Sequence, residues 1–334
     1  MLTKLLLLLA CVLAAPAAFA LTVNAPFDIH YRARDLGEPP GLVGNLGGLT
    51  FLAGAPDTLL IGGNAAGPFG AIYSIPLTRD EDGHITGFAA SGTRFATATG
   101  VTGGIDGGLS YGPDGVLFYT TYRDNHLGQI KPGSSGPDRL DALSPLGVLS
   151  STGSLQFVPG DMPGGGRLKL LSFTRSTWYD ATLSPDGNGT FDITLSGAGI
   201  FIGGGPEGVV YIRAGNAGFS NNSVLVSEWS NRRVVAYDID DNGDPLVDTR
   251  RIFISDLSSA EGAAIDPVTG DFLFSNYGGT ERGVIVVGGF VAPPQVVPLP
   301  APWLMLMGAV AAMMATRRRS QPHSHNLSES VAGR

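Results

Sequence analysis

The chain has a single cysteine in 334 residues, Cys11, and it falls inside an N-terminal apolar run. Once that run is removed no thiol remains, which excludes disulfides, a cysteine-ligated metal and a cysteine nucleophile. Histidine is scarce too: His30 and His126 stand alone, and His323 and His325 fall in the C-terminal tail. Charge is thin, at 15% of residues, well below the usual quarter. Residues 1–20 hold one lysine and residues 317–334 hold four arginines and one glutamate. Outside them, 16 basic and 28 acidic residues remain, a net of −12. Such a body has no electrostatic footprint for a phosphate backbone, so nucleic acid is excluded as a partner. Turn formers, by contrast, are abundant. Gly (49) and Pro (23) make 72 of 334 residues, a density that breaks helices and excludes a long helical bundle. Apolar, β-branched and aromatic runs separate them, which excludes wholesale disorder. One large all-β domain fits best.

Both ends look like addresses. In residues 1–20, Lys4 precedes an apolar run from Leu5 to Leu13, and Ala18-Phe19-Ala20 closes the segment. This is the small-residue cleavage pattern of a secretory signal peptide, with the cut after Ala20. The rival reading is a lipoprotein signal, because Leu8-Leu9-Ala10-Cys11 resembles a lipobox. At the other end, Val297-Pro298-Leu299-Pro300-Ala301 precedes an uninterrupted apolar run at 303–315 and then Arg317-Arg318-Arg319. Thirteen residues make about 20 Å of helix at 1.5 Å per residue, short of the roughly 20 residues a bilayer span needs.

Proline motif, short apolar helix and arginine cluster together resemble the PEP-CTERM sorting signals of Gram-negative bacteria, in the VPLPA variant. The resemblance covers residues 297–319. It implies a membrane-held intermediate, processing by an exosortase, and delivery to the cell surface or exopolysaccharide matrix. An ordinary C-terminal membrane anchor is the alternative. Such signals usually stop at the arginines, whereas here a polar tail, residues 320–334, follows and is expected to be disordered.

Between the two ends lies a repeat of apolar strand, Gly- or Asp-rich turn and apolar strand. Its units begin at Gly48, Gly108, Ser154, Gly208 and Gly262. The spacings of 60, 46, 54 and 54 residues suit four-stranded antiparallel propeller blades, whose repeats run about 40–50 residues. Outer hairpins recur as well, at Asp80–Gly83, Asp186-Gly187 and Asn242-Gly243, where Asp-Gly and Asn-Gly tolerate positive φ. The expectation is a β-propeller over residues 21–292, followed by the sorting segment at 293–319. Five units are visible. Six blades are favoured, the sixth assembled from Phe27–Tyr31 and Gly283–Val287 at the chain's two ends, with five as the alternative. A β-sandwich is the main competing fold.

The candidate chemistry is carboxylate. Glu207 and Glu261 each stand just before the first strand of a unit, and Asp106 lies one position earlier in its own. A propeller's first strands line its central channel, so the three are candidate ligands for Ca²⁺ or an acid/base group. Here the chain is loosely similar to the gluconolactonase/regucalcin and NHL-type propellers. The gluconolactonase-type metal site also implies an Asn from a Pro-Asn-Gly turn, which this sequence lacks, and Gly47 and Gly153 stand where further ligands would. The competing reading has the glutamates bonded to backbone N–H groups of adjacent blades. Asp238-x-Asp240-x-Asn242-Gly243-Asp244 resembles the start of an EF-hand loop, but Thr249 stands where the closing Glu is required, so a hairpin turn is expected. Gly108-x-Ser110-x-Gly112 fits a nucleophile-elbow pattern literally, yet a turn and strand follow instead of a helix. Two functions compete. The favoured one is a noncatalytic, monomeric surface or matrix propeller that binds a partner, glycan or cation. The alternative is a metal-dependent, lactonase-type hydrolase.

Overall fold

A computed structural model of the chain describes residues 21–292. The expected cleavage-site residues Ala18 and Ala20, Cys11, the motif Val297-Pro298-Leu299-Pro300-Ala301, the expected helix 303–315, Arg317, Arg318, Arg319 and the polar tail lie outside the described residues. Among the described residues, no helix is long and apolar enough to cross a membrane.

The described chain is an all-β propeller of five antiparallel sheets. Blade I runs from an inner strand Leu46–Leu52 through Ala55–Gly63 and Ala71–Arg79 to an outer edge shared by Ile85–Phe88 and Thr93–Thr97. Blades II, III, IV and V begin at inner strands Ile105–Tyr111, Thr152–Phe157, Pro206–Ile212 and Ala260–Ile265. All five repeat starts read from the sequence therefore fall in inner strands. The turn pattern is confirmed at Asp80–Gly83 and at Asp186-Gly187, which join paired strands.

The favoured sixth blade does not exist among the described residues. Gly283–Gly288 is the third strand of blade V, and Arg32–Asp35 pairs with it as that blade's outer strand, Arg32 opposite Gly288. The two ends of the chain do close the ring together, as expected, but inside the fifth blade. Phe27–Tyr31 fails as a strand because Phe27–Ile29 forms a 3-10 turn. That turn drives Phe27 and Tyr31, both fully buried, into a cluster with Phe219, Phe253 and Phe290. Burying two aromatic rings outweighs one more edge ladder.

The core is divided among the blade interfaces. Period-two alternation sends Val224 and Val226 towards blade III and Leu225 towards blade V. Phe272 and Phe274 likewise face blade IV, while Leu273 faces blade I. Successive strand side chains point to opposite faces, so one blade serves two interfaces. Polar pairs also link blade I to blade V. Arg79 makes a bidentate pair with the buried Asp266, at 2.6 and 3.0 Å, and His84 Nδ1 lies 2.7 Å from Asp271.

Inner strands approach so closely that side chains are excluded at the repeat glycines. A Cβ on Gly208 would collide with Glu261 O, one on Gly262 with Gly48 Cα, and one on Gly48 would lie 2.7 Å from Gly108 C. Absence of a side chain, rather than special dihedral freedom, is what the position demands. It narrows the channel enough for side chains from blades II, IV and V to meet across it.

A carboxylate centre beneath an aromatic rim

In each blade the inner strand begins where the second strand ends, as in the pairings Ile105 with Thr121, Pro206 with Glu228 and Ala260 with Asn276. Both sets of ends therefore open on one face. Asp106, Glu207 and Glu261 are each the second residue of their inner strand. Asp106 stands one position earlier than the glutamates relative to the repeat glycine, and a larger bulge compensates. Four steps from Ile105 to Leu109 oppose two on the partner strand, whereas three steps do so in blades IV and V. The extra residue re-aims the aspartate.

The three carboxylates converge. One oxygen from each lies within 4.8 Å of the others, and all three residues are 3% exposed or less. Asp106 Oδ2 and Glu207 Oε2 are buried without a hydrogen-bond partner. Gly107 and Gly153 make the room, since a Cβ on either would come within 2.7 or 2.6 Å of Glu207 Oε2. Burial pushes the Asp106 carboxyl up to about 7, opposed by contacts with Glu261, Glu207 and the Gly107 N–H. Burial, then the neighbouring carboxylates, hold Glu207 and Glu261 well above the usual range. The backbone contact in the competing reading exists for Glu207, through Gly107 of blade II, but it leaves the orphaned oxygens unsatisfied. Glu228 shows the contrast. It is equally buried, yet Arg250 and Arg233 at 2.6 and 2.7 Å outweigh burial and hold its carboxyl below its ordinary value. No arginine is paired with the triad among the described residues.

Above the triad the face opens into a cavity of about 780 Å³ whose lining includes all three carboxylates, Thr102, Arg123 and four aromatic residues. Tyr122, Phe173, Trp229 and Tyr277 are each the first residue after the second strand of blades II, III, IV and V. Blade I carries Asn64 at that place. Sequence reasoning missed this rim. The signal was present, because the four aromatics follow the blade repeat at intervals of 51, 56 and 48 residues.

The remaining candidates serve structure. Asp240 Oδ1 accepts the N–H groups of Asn242 and Asp244, making the expected hairpin turn. Asp244 Oδ1 receives Lys169 Nζ at 2.6 Å and Trp178 Nε1 at 2.7 Å, so blade III consumes this loop's carboxylate. Ser110 donates to Gln156 Oε1 on an inner strand followed by the Pro113–Gly115 turn, not a helix. His30 and His126 lie apart from the triad: His30 lines a separate cavity and His126 begins the third strand of blade II.

Several solved structures align with this chain at TM-scores below 0.5. A glucose dehydrogenase aligns over 77% of this chain and 99% of its own, with a TM-score of 0.45 and 12% identity. A candidate gluconolactonase aligns over 82% and 99%, at 0.46 and 11%. A candidate 6-phosphogluconolactonase from Bacteroides uniformis aligns over 74% and 68%, at 0.44 and 14%. No protein-family model matches the chain, and no curated protein matches it.

Proposed function

We propose that this protein is an exported surface or matrix propeller that holds a divalent cation, Ca²⁺, on Asp106, Glu207 and Glu261 and binds a ligand above it. The observation that carries the cation is the pair of orphaned, buried oxygens in a cluster of three carboxylates to which no arginine is paired among the described residues. Buried like charges this close need protons or a cation between them. An all-oxygen, all-carboxylate donor set suits a hard cation and not a thiophilic one. Three protein ligands leave positions for water or ligand oxygens from the cavity. Metal analysis of the purified full-length protein should find about one Ca²⁺ per chain, removed by chelator. A metal-free preparation that takes up none on titration would refute the site.

The lactonase reading is second, and what favours it is the open cavity, which lets a small molecule reach the carboxylates. There, a bound cation would supply Lewis-acid polarisation of an ester carbonyl. Chelator-sensitive hydrolysis of an aldonolactone would decide for it.

Export and sorting rest on Ala18-Phe19-Ala20, the Val297–Ala301 motif, the 13-residue apolar run and Arg317–Arg319. The apolar run is too short to cross about 30 Å of hydrocarbon without thinning it. Prolines at its outer end, Pro298 and Pro300, disfavour regular helix. In cells lacking the exosortase, blots should show a larger, membrane-retained form. An unchanged size and distribution would mean that the C-terminal segment is no sorting signal.

A further inference from the structure

We infer that the aromatic rim is a stacking wall for the sugar rings of a neutral polysaccharide chain, whose hydroxyls reach the cation below. This rests on the cation reading and names the ligand of the same site.

The wall is built, not incidental. Tyr122 and Phe173 pack edge to face with ring centroids 5.6 Å apart, and Phe173 and Trp229 do so at 5.9 Å. Three rings from three successive blades thus brace one another, which keeps them from collapsing into the cavity. Trp229 remains 37% exposed, although burying so large a ring is favourable. Next to Tyr122 the lining turns polar. Thr102 is exposed, and Arg123 spends only its Nε, on Ala66 O at 2.9 Å, leaving the rest of its fork free.

A cavity lined by both aromatic rings and polar donors matches a pyranose, which has a C–H face and a hydroxyl edge. The C–H face carries slight positive charge and is attracted to the π face. Charge selects among the ligands that stack. Three carboxylates, a divalent cation and Arg123 sum to about zero at neutral pH, matching an uncharged ligand. An organic cation would compete with the ion already on the floor. A nucleotide or polyuronate would meet a body of net charge −12. The cavity spans rims from several blades, and at about 780 Å³ it has room for more than one sugar ring.

The test uses the full chain and two separate titrations. Ca²⁺ binding is followed by displacement of Tb³⁺ luminescence. Sugar binding is followed by calorimetry with cellohexaose, xylohexaose and isomaltohexaose, with glucose and hexagalacturonate as controls. At least one neutral hexasaccharide should bind the Ca²⁺-loaded protein at least tenfold more tightly than glucose and hexagalacturonate do. Trp229→Ala and Phe173→Ala should each weaken it at least tenfold while Ca²⁺ affinity stays within twofold, and Trp229→Phe should restore most of it. Ca²⁺ binding without any hexasaccharide binding, sugar binding indifferent to Trp229→Ala, or tighter binding of hexagalacturonate would each overturn the inference. Hexasaccharide binding that is sensitive to Trp229→Ala in a protein that takes up no Ca²⁺ would remove the cation and uphold the wall.

Discussion

Glu207→Gln should lower Ca²⁺ affinity by at least about 100-fold, since loss of an outer-shell partner alone costs about 10–100-fold. The same substitution should make the cation-free protein more stable at neutral pH. Gln is nearly isosteric and fits the space beside Gly107 and Gly153, and it is neutral without taking up the proton that burial and its neighbours make Glu207 hold in the folded state. Calorimetric titration and thermal melts in chelator would measure the two effects, which have opposite signs. A structural glutamate satisfied by backbone N–H groups gives a different result, with the melting temperature falling and no Ca²⁺ binding to lose. Because Glu207 alone among the three stands against both glycines, Glu207→Gln is the cleanest single substitution.

Without its cation the protein should lose stability as pH rises from about 4 through 7. The sign follows from the raised carboxyls. Unfolded, Asp106 releases its proton near 3.8, whereas folded it holds it to about 7, and the two glutamates hold theirs longer. Over that window the folded state binds more protons, so raising the pH favours unfolding. At about 1.4 kcal/mol per pH unit, Asp106 alone is worth on the order of 4 kcal/mol, or roughly 10 °C in a domain of this size. Melting temperatures at pH 5 and 7.5 in chelator would measure this. Saturating Ca²⁺ should recover most of the loss at pH 7.5 and little at pH 5, because protons compete for the same oxygens. The His84–Asp271 seam acts in the same direction, since Asp271 lifts the imidazole's pKa and that contribution fades as pH rises through it. Repeating the melts with Asp106→Asn isolates the channel, and an equal pH slope in that variant would locate the titration elsewhere.

The blade repeat was legible because it rests on local demands. Gly48, Gly108, Gly208 and Gly262 recur wherever an inner strand must pass its neighbour without a Cβ, and Asp-Gly recurs where a hairpin must turn. Glu207 and Glu261 were legible as a pair because they share one place in that repeat. Asp106 was harder to place. Its offset by one residue is cancelled by a bulge, and bulges depend on pairing with the second strand rather than on the sequence of the first.

Blade number was not legible, because it depends on which sheet adopts a strand from the far end of the chain. Arg32–Asp35 reads as well for a sixth blade as for the edge of the fifth. The choice fell to Phe27 and Tyr31, whose burial against Phe219, Phe253 and Phe290 ties the N-terminal turn to blades IV and V. The rim aromatics were visible as residues and invisible as a site. Each directly follows its own second strand, and only ring closure turns residues about fifty apart into neighbours on one mouth.

By itself, then, the sequence determined an acidic, all-β body, the inner-strand positions and the glutamate pair. Composition and short-range pattern suffice for these, since each is a property of a few adjacent residues. Tertiary structure alone decided the five-blade closure, the convergence of Asp106 with the glutamates, the missing arginine beside them and the aromatic wall above. Those are distances between residues far apart in the chain. Such distances are set by how many wedges of apolar side chains close a ring, which no single blade encodes.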